Sequence, residues 1–245
     1  IFILKVHRSN FYIDGFIGEP EIPEIAKLAH DNGLPLVEDL GSGAMMDTDK
    51  LAPIEHEPTP QECLKRGIDL VIFSGDKLLG GPQSGIIGGR ADMVAKIKKE
   101  PFFRAVRCDK LILTTLQESI DQYLETKADP TLSDVPVLTF LRTEVEALKT
   151  RAEKIITELS TENAGISIED TTARPGGGTM PRSEFPSVAI KIVPKNQSVP
   201  KLARKLRNGE TAVVGYTTDD ALLLDLRTIF PETDELVAQA LGNAL

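Results

Sequence analysis

The sequence is short of the residues that build covalent and metal-held frameworks. Among 245 residues there are two cysteines, Cys63 and Cys108, and three scattered histidines, His7, His30 and His56. One pair of thiols without partner spacing supports neither a disulfide framework nor a zinc ribbon, and a histidine-rich metal site is equally unsupported, so no metal is expected. No apolar run approaches the roughly 20 residues of a membrane-crossing helix, and no basic-then-apolar leader opens the chain. The sequence therefore reads as a soluble cytoplasmic protein without a membrane partner. Positive charge is scarce too: 28 Lys and Arg face 37 Asp and Glu, a net charge of -9. That balance argues against bulk electrostatic binding of nucleic acid, although it leaves room for a local basic face.

What is present is ordinary for a globular protein. Apolar residues make up 41% and charged residues 27%, which excludes disordered, collagen-like and coiled-coil classes. The length allows one large domain or up to two ordinary ones. The opening residues Ile1 to Val6 are apolar and β-branched, with no Met and no turn before them, as a cut into a larger protein would leave. Glu19 to Asn32 predicts a helix stopped at Asn32-Gly33, and Leu34 to Val37 a strand running into Glu38-Asp39-Leu40-Gly41-Ser42-Gly43. The rhythm repeats with a helix at Pro60 to Arg66, a strand at Asp69 to Phe73, a short strand at Gly85 to Gly88 and a helix at Ala91 to Lys99. Strands alternating with helices predict an α/β fold with a mainly parallel sheet.

Beyond Asp109 the pattern changes. Leu113, Leu116, Ile120 and Leu124 predict a helix, Lys127 to Val135 a linker, and the stripe Leu138, Leu141, Val145, Leu148, Ala152, Ile155, Leu159 one long amphipathic helix. Strand-like runs at Ile166 to Glu169, Ser187 to Ile192, Ala212 to Tyr216 and Ala221 to Leu226, with helices near Val199 to Arg207 and Glu232 to Leu241, predict a small α+β domain. The expected division is 1–126, the C-terminal part of a large domain, and 127–245, the small domain.

The segment Phe73-Ser74-Gly75-Asp76-Lys77-Leu78-Leu79-Gly80-Gly81-Pro82-Gln83 carries the most chemistry. A lysine just past a buried strand, flanked by small residues, is placed for covalent work at the carboxyl edge of a parallel sheet. Lysine forms Schiff bases with carbonyl compounds, and pyridoxal phosphate is the commonest biological partner for that reaction. The alternative is a solvated turn lysine. Asp39, at the end of the preceding strand, is the matching group, because a buried carboxylate keeps the pyridine nitrogen protonated and the ring an electron sink. Ser74 is a candidate donor to the cofactor phosphate or a simple turn serine. Arg104 and Arg107 are three apart and share a face if their segment is helical, a pair suited to a phosphate-like anion or else a solvated basic face. They lie within the basic stretch Lys96, Lys98, Lys99, Arg104, Arg107, Lys110, which is opposed by Glu100 and Asp109 alone. The run Gly176-Gly177-Gly178 lacks the spacing of a nucleotide cradle and reads as a flexible loop near the site. Arg227 reads as a contact for a substrate carboxyl or phosphate group, or as a surface ion pair.

Taken together, Val6-His7-Arg8-Ser9-Asn10-Phe11, Val37 to Gly43, Phe73 to Gly88 and Phe103 to Lys110, with Gly176 to Pro181 and Leu224 to Arg227, closely resemble the bacterial selenocysteine synthase family, L-seryl-tRNA(Sec) selenium transferase. The resemblance runs from about Val6 to the C-terminus and implies a fold-type I pyridoxal phosphate-dependent transferase. It implies that Lys77 is the Schiff-base lysine, that Asp76 belongs to the catalytic centre, and that Arg104 and Arg107 bind selenophosphate. It also implies conversion of seryl-tRNA(Sec) to selenocysteinyl-tRNA(Sec) through a dehydroalanyl intermediate, in a homo-oligomer. The family's N-terminal domain and the first half of its large domain have no counterpart here, so the isolated chain is expected to bind cofactor weakly and not to complete the reaction alone. A pyridoxal phosphate lyase on a small amino acid or amino sugar, and a non-catalytic fragment or assembly subunit, are the alternative readings.

Overall fold

The computed structural model describes residues 1–126 and 133–245; most of the predicted linker, 127–132, lies outside the described residues. The chain forms two compact units, one comprising Ile1–Arg142 with Arg174–Ser183 and the other Thr143–Ala173 with Glu184–Leu245.

The first unit is built on a four-stranded sheet in the order β1 (Ile3–Val6), β2 (Leu36–Gly41), β3 (Leu70–Ser74), β4 (Gly85–Gly89). β1, β2 and β3 are parallel, one helix returning the chain from β1 to β2 and another from β2 to β3. α1 (Ile22–Asp31) starts at a proline and buries Ile22, Ala26 and Ala29. α2 (Pro60–Lys65) starts on a capping box in which Thr59 Oγ1 accepts from the Glu62 N–H and the Glu62 carboxylate accepts from the Thr59 N–H. β4 runs antiparallel to β3. The ten residues between them contain no crossover helix, and the loop closes on itself through the Gly75 N–H and the Ser84 carbonyl, 2.9 Å apart. α3 (Ala91–Lys99), the short α4 (Phe103–Val106), α5 (Lys110–Glu125) and α6 (Pro136–Arg142) follow. Leu36, Leu40, Phe73, Leu79, Tyr123 and Leu138 share its core.

Alternation along β2 separates two adjacent carboxylates. Glu38 is buried and takes the Lys5 ammonium, its parallel neighbour on β1. Asp39, on the opposite face, is half-buried. Burial, with Glu38 as its neighbour, pushes the Cys63 thiol up to about 12.

The second unit is an antiparallel sheet in the order β5 (Ala164–Ala173), β6 (Phe185–Pro194), β8 (Leu222–Asp225), β7 (Tyr216–Thr217). Packed on it are α7 (Val145–Thr157), α8 (Val199–Arg207) and α9 (Asp234–Ala244), with Leu148, Ile190, Leu202, Leu224 and Leu241 in the core. The predicted long helix over 138–159 is two helices, α6 and α7, broken at Thr143 and the extended Glu144. The apolar stripe keeps its phase across the break, so the periodicity carries no sign of it. The run Ala212 to Tyr216 also departs from expectation, since regular pairing begins only at Tyr216.

Candidate active site

The carboxyl ends of β1, β2 and β3 point the same way, toward one edge of the sheet. From β1 comes Ser9, buried at 9% exposure. β2 delivers Gly41, whose φ of +70° is open to glycine and strained for most other residues. The position a Cβ would take there lies 2.6 Å from Ser9 Oγ and 3.7 Å from Lys77 Nζ, so the serine hydroxyl and the lysine amine converge on this bare stretch of backbone. Asp39 is two residues upstream on the same strand. β3 ends at Ser74, half-buried, and three residues on Lys77 is half-buried with Asp76 exposed beside it.

The loop that presents Lys77 is fastened from three sides. The Leu78 N–H donates to the Ser42 carbonyl at 3.0 Å, tying it to the turn after β2. The Gly80 N–H donates to the Lys77 carbonyl at 2.9 Å. Below, the buried Tyr123 hydroxyl of α5 meets the carbonyls of Leu79 and Leu78 at 3.0 and 3.3 Å. Lys77 Nζ itself donates to the Gly178 carbonyl at 3.3 Å. Gly178 has φ +81°, and a Cβ there would stand 3.0 Å from Nζ. The glycine run is thus placed directly against the lysine amine. Met180, at φ +47° and buried, and Ser183, whose Oγ accepts from the Glu55 N–H at 3.2 Å, hold the segment beyond it. Asp76, Lys77, Gly80, Val137, Gly176 and Thr179 are among the residues around a cleft of about 400 Å³.

The structure therefore gathers Lys77, Asp76, the end of the Asp39 strand and the end of the Ser74 strand at one sheet edge. It does not bring Arg104 and Arg107 into the lining of this cleft. α4 has only four residues, and Arg107 is the extended residue after it, so the shared helical face is not formed. Both guanidinium groups are exposed, and among the described residues neither has an ion pair. Arg227 lies in the second unit and is buried rather than at the surface: it donates to the carbonyls of Thr143 and Pro186 at 2.8 and 2.6 Å and lies over the Phe185 ring. Its burial lowers the guanidinium pKa. Ser9 and Tyr123 are additions the pattern did not single out. A serine after a short strand and a tyrosine within a helical stripe look like a turn and a core residue.

Among the described residues, one trio of side chains, Asp47, His56 and Glu62, brings potential metal-ligand atoms within 4.8 Å of one another. Each already has a partner: Lys50 pairs with Asp47, Asp49 with His56, and Glu62 caps α2. No helix among the described residues is long and apolar enough to cross a membrane.

Comparison with known proteins adds a lineage to this geometry. The family model for L-seryl-tRNA selenium transferase matches residues 1–230. The L-seryl-tRNA(Sec) selenium transferase of Carboxydothermus hydrogenoformans is 42% identical over 232 residues, 94% of this chain and 49% of the relative. That of Aquifex aeolicus is 38% identical over 246 residues, 99% of this chain and 53% of the relative. The chain thus spans about half the length of the curated relatives it matches. Among solved structures, D-glucosaminate-6-phosphate ammonia-lyase superposes with a TM-score of 0.57 at 20% identity, covering 99% of this chain and 57% of that one. The architecture is that of the fold-type I enzymes, α/β with a mixed, mainly parallel sheet. A family match over residues 1–230 takes in every strand end and side chain gathered around Lys77, and the chain belongs to the L-seryl-tRNA selenium transferase family.

Proposed function

We propose that this chain is the lysine-bearing half of an enzyme that converts L-seryl-tRNA(Sec) to L-selenocysteinyl-tRNA(Sec), with pyridoxal phosphate as cofactor and selenophosphate as selenium donor. The observation that carries this reading is the setting of Lys77: a half-buried amine, three residues past a strand, held between two glycine backbones at the edge where the Asp39 strand also ends. These residues fit the cofactor. Gly41 and Gly178 let backbone lie against the Lys77 amine where a side chain would crowd it, and the donor set of amine, carboxylate and Ser74 hydroxyl matches the cofactor's aldehyde, ring nitrogen and phosphate. When bound, pyridoxal phosphate supplies an electron sink for carbon acids next to an amine.

The residues then divide the work. Lys77 Nζ leaves the Gly178 carbonyl to hold the cofactor and, once free, takes the proton from the seryl α-carbon. The Asp39 carboxylate keeps a proton on the ring nitrogen. Asp76, exposed beside the lysine, orients its amine. Arg104 and Arg107, outside the cleft lining and without ion pairs among the described residues, offer forked donors to the selenophosphate anion. Further strands and part of the phosphate site come from the remaining length of the relatives or from a second copy in a homo-oligomer.

The test is to incubate the purified chain with millimolar pyridoxal phosphate, reduce with borohydride and map the modified peptide by mass spectrometry. The expected result is one pyridoxyl group, on Lys77. Labelling spread over surface lysines, with none preferred, would remove the reading that this chain's own residues hold the cofactor.

A further inference from the structure

The basic stretch around Arg104 is not the only one in this acidic chain. From Lys195 to Gly209 there are five cations and no acid. The structure folds most of this run into α8, whose apolar side, Val199, Leu202 and Leu206, is buried in the core of the second unit. Lys201, Arg204, Lys205 and Arg207 are exposed. Lys205 Nζ donates to the Ala244 carbonyl at 3.2 Å, and Lys195 to the carbonyls of Thr161 and Glu162. Among the described residues, none of Lys201, Arg204 and Arg207 has a carboxylate within 4.0 Å.

Helix stability does not account for this face. Cations in the last turn are favoured by the helix dipole, which covers Arg204, Lys205 and Arg207, but Lys201 sits in the first turn, where the dipole opposes it. Lys201 with Arg204, Lys201 with Lys205, and Arg204 with Arg207 are like-charge neighbours three or four apart, each pair unfavourable by a few tenths of a kcal/mol. A chain with nine more acids than bases has carboxylates to spare, yet among the described residues none, Glu210 just past the helix included, pairs with Lys201, Arg204 or Arg207. The repulsion is relieved when a polyanion lies along the helix and its counterions are released.

We propose that the outward face of α8, centred on Lys201, Arg204 and Arg207, is a docking surface for the ribose-phosphate backbone of a tRNA. The choice of RNA as the polyanion rests on the seryl-tRNA reading above. The contacts are to phosphates, so the surface contributes affinity and orientation rather than recognition of particular bases.

The experiment is fluorescence anisotropy of a labelled tRNA(Sec) transcript against the chain, titrated at several KCl concentrations, for the wild type and for the triple variant Lys201→Gln, Arg204→Gln, Arg207→Gln. Removing three phosphate contacts is expected to flatten the slope of log K against log salt by about 2 to 3. Circular dichroism checks that the variant is folded, which relief of like-charge repulsion favours. A slope within 0.5 of the wild type would overturn the proposal. So would wild-type binding too weak to detect at about 50 mM salt, or a variant that loses binding to phosphatidylserine vesicles while keeping its tRNA slope. Labelling of Lys77 separates the two readings: a flattened slope without selective labelling removes the catalytic assignment and keeps this surface, and the reverse removes the surface alone.

Discussion

The Tyr123 hydroxyl is the support whose removal tests most directly how the Lys77 loop is held. Tyr123→Phe deletes one oxygen from a buried side chain and leaves the ring's packing intact. The hydroxyl meets two carbonyls, at 3.0 Å on Leu79 and 3.3 Å on Leu78, and among the described residues no backbone N–H outside the helices and strands reaches either. A single neutral hydrogen bond contributes about 1 kcal/mol, but stranding buried acceptors costs about 1–3 kcal/mol, so a central value of about 2 kcal/mol is expected. The loss falls on the loop before it falls on the whole unit. Native-state hydrogen exchange of the peptide spanning Asp76 to Gly81 reads it directly, because the Leu78 and Gly80 amides are hydrogen-bonded there. About 2 kcal/mol corresponds to exchange roughly 30-fold faster in that peptide. Exchange within threefold of the wild type would refute the argument that Tyr123 holds the loop.

Gly178→Ala strains a backbone at φ +81° by about 1–2 kcal/mol and presses a methyl group to within 3.0 Å of the lysine amine, so the yield of pyridoxyl-Lys77 should fall while far-UV circular dichroism is unchanged. Asp69 joins the starts of β2 and β3, accepting from the Leu36 N–H at 2.8 Å, from His30 and from Arg90; burial works to raise its pKa, and these partners together hold it below the ordinary value. Its stabilisation is therefore complete above the unfolded pKa of about 3.9 and is lost as pH falls through the lower native value. Asp69→Asn should cost about 1–3 kcal/mol in urea melts at neutral pH, a gap that closes in acid. Cys63, its thiol raised to about 12, should resist iodoacetamide at pH 8 in the native protein while Cys108 reacts; equal alkylation would contradict its burial.

The α/β class was legible because each early strand is an apolar run followed by turn glycines and an amphipathic helix. The placement of Lys77 and Asp39 at strand ends was legible for the same reason, since a residue's position after an apolar run is a feature of the chain itself. What lay outside the sequence's reach depends on pairing and approach. Nothing local in Gly85 to Gly89 marks it as antiparallel; the absence of a crossover helix does. The stripe from Leu138 to Leu159 keeps one phase through a break that the backbone makes at Glu144. Tyr123 and Gly178 meet the lysine loop across 44 or more residues, distances no spacing rule spans. Arg104 and Arg107 had the right chemistry, but a four-residue helix is too short to give them one face.

The division of labour on β2 has a consequence for folding fidelity. If β2 paired with β1 one residue out of step, every side chain on it would change face. A slip that sets Val37 opposite Lys5 would carry Asp39 to the face Glu38 now occupies, turn Glu38 to the other, and leave Lys5 facing an apolar side chain, whereas the opposite slip would set Asp39 against Lys5. Leaving a buried charge unpaired costs about 3–5 kcal/mol, against a total stability of about 5–15 kcal/mol for a typical protein. The Lys5–Glu38 pair thus works as a proofreading device against the slip that leaves Lys5 facing Val37, and favours the alignment that delivers Asp39 to the lysine edge.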